Sequence, residues 1–217
     1  ALAITVPTRE ELVQSITASY DRAAEQGVVD KYVAHILAAD ASFNQPAPDF
    51  LAPVANGETE LDETDGTKTI AQAKEVFKAG IDGDFVRWGT DKPSKPSGKL
   101  KLKTWELVHD GSFKDFLVPP TGKTIDDLCI PQDKILEFCE KHPQLLRQDG
   151  CATLFLFKVE DSEATDEKER KKYFVARVDV YGRELSVRVH RFDLPGTWRA
   201  DFRRRVVFPQ LQGAQTL

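Results

Sequence analysis

The chain has 217 residues, 41% hydrophobic and 30% charged, with a formal net charge of −5 at pH 7. That length and composition suit a packed globular fold and exclude wholesale disorder. No apolar run approaches the ~20 residues of a membrane-spanning helix, so an integral helical membrane protein is excluded as well.

Three cysteines, Cys129, Cys139 and Cys151, are odd in number and scattered, which points to a reducing compartment rather than a disulfide framework. The chain opens Ala1-Leu2-Ala3 without methionine or a charged-then-apolar leader. The expectation is a cytoplasmic chain lacking its initiator, with a mature secreted form as the alternative. Charge is polarised: twelve acids against four bases give −8 over residues 1–68, and eight arginines against four acids give +4 over residues 173–208.

Thr8-x-x-Glu11 is a capping box, and Leu12, Val13, Ile16 and Tyr20 repeat at helical spacing behind it. A second helix is expected around Tyr32, Val33, Ile36 and Leu37. Periodicity is lost from Asn44 to Thr67, among Pro46, Pro48, Pro53, Gly57 and an acidic run from Glu58 to Asp65, so this stretch reads as a long irregular loop. Those acids lack the alternation and glycine of a calcium loop and read as solvated. Ile70, Ala73, Val76 and Phe77 predict a third helix over residues 69–79.

Asp91 to Gly98, with two prolines, reads as a linker, and the chain as one α+β domain that could subdivide into a helical part, 1–90, and a sheet part, 99–217. In the latter, Lys99 to His109 reads as a strand, Asp110-Gly111 as a hairpin turn and Phe113 to Val118 as the returning strand. A helical insertion follows at 131–146, then an apolar strand from Cys151 to Val159 and a mixed-charge excursion over 160–172. From Tyr173 to Phe208 the alternation of Phe174, Ala176, Val178 and Val180, of Leu185, Val187 and Val189, and of Trp198, Ala200, Phe202, Val206 and Phe208 predicts an antiparallel meander. The expected fold class is therefore α+β: N-terminal amphipathic helices packed on a curved, mainly antiparallel sheet that ends in a C-terminal β meander. The order of elements, with a short helix giving way to Ala41-Ser42-Phe43 within Gly27 to Phe43, resembles the cone-shaped fold of nuclear-transport-factor-2-like proteins. The likeness covers well under half the chain, and the insertion at 131–146 departs from the pattern.

A two-residue turn at Gly182-Arg183 sets Arg177 opposite Arg188, and like charges in that position destabilise a sheet. A second turn at Asp193 to Gly196 would set Asp201 beyond Arg188, Arg203 beyond Ser186, and His190 between Val175 and Arg199. Arg204 would point to the core or the sheet edge. On that register Arg177, Arg188, Arg199, Arg203, Tyr181 and His190 form a candidate binding face for an anion, or else a self-neutralised ladder of ion pairs. Val178→Asp and Phe202→Asp are expected to prevent folding, and Arg177→Ala to be neutral or stabilising.

Other motifs carry less. Thr121-Gly122-Lys123-Thr124 has Leu117 where a phosphate loop needs glycine, and Pro119 and Pro120 remove backbone donors. Cys129, Cys139, His142 and Cys151 lack zinc-knuckle spacing and read as apolar thiols near a histidine, so no metal and no cofactor is expected. His109 beside Asp110 has no nucleophile fixed near it, and no catalytic set converges.

The favoured function is a non-enzymatic interaction or accessory module that meets a protein or anionic partner through the arginine face and the 44–67 loop. The alternative is a small-molecule-binding protein or enzyme with a pocket between helices and sheet, lined by Tyr20, Trp88, Trp105, His109 and Asp110. A nucleic-acid-associated role ranks third, against the chain's overall acidity.

Overall fold

Residues 153–157, Thr-Leu-Phe-Leu-Phe, show no polar alternation, the pattern of a strand covered on both faces. In the computed structural model, which describes residues 50–119, 123–160 and 171–210, they begin the central strand of a seven-stranded mixed sheet. The chain divides into two units, Ala1–Pro48 and Asp49–Leu217, and only the second holds described residues. The helices expected after Thr8 and around Tyr32, the Gly27 to Phe43 likeness and Tyr20 lie outside them.

In chain order the strands are β1 (Leu51–Leu61), β2 (Gly80–Ile81), β3 (Leu100–Leu107), β4 (Thr153–Glu160), β5 (Lys171–Tyr181), β6 (Glu184–Arg191) and β7 (Arg205–Pro209). Their spatial order is β1-β3-β7-β4-β5-β6-β2. The β4–β7 and β6–β2 pairs are parallel and the other four antiparallel. The described helices are short: α1 (Asp84–Arg87), α2 (Phe113–Phe116) and α3 (Gln132–Lys141), with four 3-10 turns.

Both faces of the sheet carry a core. On one, Phe155, Phe157, Phe174, Ala176, Val178 and Val207 pack under Ile135 and Phe138 of α3, with Phe77 and Phe85. On the other, Leu154, Leu156, Val175 and Val206 pack under Phe113 and Phe116 of α2, with Leu128. Thr153 to Phe157 are all without solvent exposure. Burying such side chains is worth roughly 1.5–3 kcal/mol each.

This architecture corrects the expected fold class: the described chain is mostly a mixed sheet with few helices, and its C-terminal third is not a meander. β5 and β6 do form the expected hairpin, with Arg177 opposite Arg188, Asp179 opposite Ser186 and Val175 opposite His190. Gly182 closes the turn at φ 64°, a conformation that favours glycine. The chain then leaves the hairpin, turns at Ala200–Phe202 and returns as β7 between β3 and β4. The reason is burial: Val206 and Val207 are apolar toward both faces, as an interior strand requires, whereas Arg188 fits β6 nearer the edge. Asp201, Arg203 and Arg199 therefore do not stand beside Arg188, Ser186 and His190.

Three local readings change too. Residues 113–118 form no return strand, because Ser112 and Asp115 make a reciprocal capping box that starts α2. The stretch read as a loop contains β1, whose Glu58 and Glu60 face Lys103 and Lys101 across the β3 ladder. The helix expected at 69–79 is a single 3-10 turn, Ile70–Gln72, although Ile70, Ala73 and Phe77 are buried as that stripe required.

Helix α3 is buried over Gln132 to Cys139, including its polar residues. Gln132 accepts from the Ile70 N–H at 3.0 Å and donates to the Thr90 carbonyl at 2.8 Å. Asp133 accepts from the Gly66 N–H at 2.9 Å, and Glu137 from the Asp62 N–H at 3.0 Å. These side chains act as fasteners for segments without ladders of their own. Gly66 has φ 78°, and a Cβ there would fall 2.3 Å from the Ser94 carbonyl oxygen.

Phe157→Ala should cost about 3–5 kcal/mol by urea denaturation, the range for a fully buried ring. Phe202, 44% exposed between strands, should change stability by less than about 1 kcal/mol when replaced by alanine. Equal losses at both positions would contradict the two-faced core.

Candidate functional site: an arginine–histidine face on one hairpin

Strand alternation puts Val175, Arg177 and Asp179 of β5, and Arg188 and His190 of β6, on the sheet face that α2 partly covers. The cover makes this face different from a solvated one. Asp179 has no solvent exposure, and its Oδ1 accepts from Arg177 Nε at 3.2 Å and Nη2 at 2.9 Å. Its Oδ2 has no hydrogen-bond partner. Arg177 is thus committed to a carboxylate two residues along its own strand.

Arg188, directly opposite Arg177, is exposed and makes no ion pair with a described carboxylate. His190 is half-buried, edge-on to Trp198 at 5.5 Å between ring centroids and 6.3 Å from Phe113. Burial, then the nearby Arg177 and Arg188 guanidiniums, hold its imidazole below the usual histidine range, while Asp82 and Asp179 pull the other way. The His190 Nε2 atom is buried without a partner.

Arg204 completes the face. Its guanidinium lies 4.8 Å from the Trp198 ring centre and 4.6 Å from that of Phe202, and Nη1 donates to the Arg199 carbonyl at 3.1 Å. Burial and Arg177 weaken its hold on the proton, yet a guanidinium stays charged at any working pH, and its Nε is buried without a partner. Three guanidiniums thus stand on a face whose buried carboxylate, Asp179, is bonded to Arg177. Burial, then the Asp149 carboxylate, raises the nearby Cys151 thiol and so favours its neutral form. The chemistry on offer is the holding of an anion.

The other sequence candidates scatter. Arg199 pairs with Asp201 at 2.5 Å, and Arg203 Nη1 lies 3.7 Å from Glu106. Tyr181 is exposed beside the hairpin turn, opposite Glu184. Trp88 stacks on Phe174 on the opposite face, and Trp105 on β3 lies under Lys103 at 5.0 Å. His109 is exposed, and Asp110 accepts from the Ala200 N–H at 2.7 Å. The structure therefore does not bring Trp88, Trp105, His109 and Asp110 into one pocket.

His142 bonds through Nε2 to the Thr59 hydroxyl at 2.8 Å, and Cys139 lies in the core, where burial raises its thiol. Thr124 gives its hydroxyl to Asp127, capping a 3-10 turn. Among the described residues no three His, Cys, Asp or Glu side chains group as a metal ion would require. No described helix is long and apolar enough to cross a membrane.

Sequence reasoning named Arg177, Arg188 and His190 and missed the residues that enclose them: Arg204, Trp198 and Phe113. Alternation alone makes Trp198 part of a strand and turns Arg204 to the core or the sheet edge, and only the route of the chain after β6 sets both over this face. Comparison with known proteins gave no match among family models, curated proteins or solved structures.

Arg177→Ala should destabilise by about 2–4 kcal/mol in chemical denaturation, because it strands the buried Asp179 carboxylate. Adding Asp179→Ala should recover most of that loss, whereas a neutral single variant would contradict the pair. His190 gives a pH signature. Its folded pKa lies below the unfolded value of about 6.5, so its contribution is present above pH ~6.5 and is lost as pH falls through the folded pKa. His190→Gln should flatten the stability profile in that window.

Proposed function

We propose that the chain is a non-enzymatic interaction module that docks an acidic segment of a partner protein on the Arg177–Arg188–Arg204 face. One observation carries the reading: Arg188 stands directly across from Arg177, and Asp179, the carboxylate buried in the face among the described residues, is already held by Arg177. Like charges so placed repel, and a carboxylate-bearing partner relieves the repulsion. His190 and Arg204 add buried nitrogen atoms without partners beside it. Three free thiols suit a reducing, cytoplasmic setting for such a module.

Isothermal titration with a hexaglutamate peptide at low salt tests this. Binding is expected to weaken as salt rises, and Arg188→Glu should reduce affinity at least tenfold while leaving the fold intact, since the side chain is exposed. Affinity should rise as pH falls below 6.5 toward the lowered pKa of His190, because a bound anion favours the protonated ring, and His190→Gln should remove that rise. If Arg188→Glu binds the peptide as well as the parent chain does, the reading fails. Tighter binding of a single-stranded oligonucleotide than of the peptide would favour a nucleic-acid partner instead.

A further inference from the structure

A groove of about 650 Å³ opens at the end of the β5–β6 hairpin remote from Gly182. It is separate from the arginine–histidine face and shares none of its residues. Its aromatic wall is Trp88 and Phe174 with Tyr173 and Phe192, and its charged groups are Arg87, Lys172, Arg191 and Asp193.

Trp88 ends a row of stacked rings. It lies 6.3 Å from Phe174 at 22°, Phe174 lies 5.7 Å from Phe157 at 29°, and Phe157 lies 6.2 Å from Phe85 at 19°. Phe157 and Phe85 are fully buried, so the row is anchored in the core and presents the half-buried indole as a rigid surface. Two guanidiniums attend that ring, Arg191 at 5.5 Å and Arg87 at 6.0 Å from its centre. Arg87 is held by Asp84 at 2.8 Å, but exposed Arg191 and Lys172 make no ion pair with a described carboxylate. Tyr173 is fixed from below: its hydroxyl donates to Asp126 at 3.0 Å, and burial and that bond raise its pKa to about 12, so it stays neutral.

The groove therefore offers a fixed ring face, free cations at its rim and a volume of small-ligand size. We infer that it binds a planar aromatic ring bearing a phosphate or carboxylate group, the ring meeting the Trp88 wall and the anion meeting Arg191 and Lys172. Both parts of the ligand are required: the cations are too exposed to hold an isolated anion tightly, and a neutral ring leaves them unused.

Titration calorimetry with four probes tests this: adenosine monophosphate, adenosine, inorganic phosphate and 2-naphthoate. Adenosine monophosphate or 2-naphthoate should bind at least tenfold more tightly than adenosine or phosphate, and the stronger of the two distinguishes a nucleotide from an aromatic acid. Arg191→Gln, at an exposed position that leaves the fold unperturbed, should reduce that affinity about tenfold, as should Trp88→Leu, while Trp88→Phe retains most of it. Arg188→Glu should leave it unchanged, so failure of the peptide-docking reading and failure of this one are separable. If neither ring-bearing anion outbinds its parts, or if Arg191→Gln binds as the parent chain does, the inference is overturned.

Discussion

Everything in the described fold depends on one strand having no solvent-facing side. Leu154, Phe155, Leu156 and Phe157 alternate between two cores, and both edges of β4 are bonded, to β5 on one side and to β7 on the other. A strand so placed must be covered above and below, and the two covers are unlike. The longest described helix, α3, lies on one face, whereas a single turn of helix and the ring of Trp198 serve the other. Among the described residues, the thin cover fills in over β4 and β7 and is incomplete over β5 and β6.

That incompleteness gives the arginine face its electrostatics. Close to the cover, Val175 and Asp179 are shut off from water, while one strand further out Arg188 is exposed. A carboxylate in the first environment holds its guanidinium strongly, since water competes poorly for either. An arginine in the second keeps its charge and its freedom. The two conditions sit across a single strand pair. The face therefore has a fixed floor, Arg177 with Asp179, and a free cation above it, rather than a uniform row of loosely paired surface charges.

Much of this was legible in the sequence, and the misses have physical reasons. The β5–β6 hairpin and its register followed from alternation around Gly182, and β4 from its unbroken apolar run. What failed was the assumption that successive strands are neighbours. Val206 and Val207 carry the same local pattern whether they extend a hairpin or cross to the sheet's interior between β3 and β4, and nothing within ten residues distinguishes the two. β1 was hidden for a different reason. Glu58 and Glu60 are poor strand formers alone, and they sit in a ladder because Lys103 and Lys101 face them from a strand some forty positions later. Residues 113–116 alternate little and could be read either way until Ser112 and Asp115 are seen to cap one another. Arg204 and Trp198 became visible only once β7 was placed.

The contrast between the two sides of the sheet bears on why the cations of the hairpin should be functional at all. At the β1–β3 side, charges answer one another across the ladder, Glu58 to Lys103 and Glu60 to Lys101, so these four neutralise in pairs. A sheet selected only for stability would carry the same arrangement on β6, with an acid where Arg188 stands, because surface pairs add little and like pairs subtract. Instead Arg188 on one face of the hairpin and Arg191 on the other make no ion pair with a described carboxylate, although Asp179 shares the first face and Asp193 lines the groove beside the second. Repulsion retained where a single substitution would remove it is what supports the proposed docking face. The two faces differ in what surrounds the charge, a buried carboxylate and imidazole on one and a row of stacked rings on the other, which is why different anions are proposed for them.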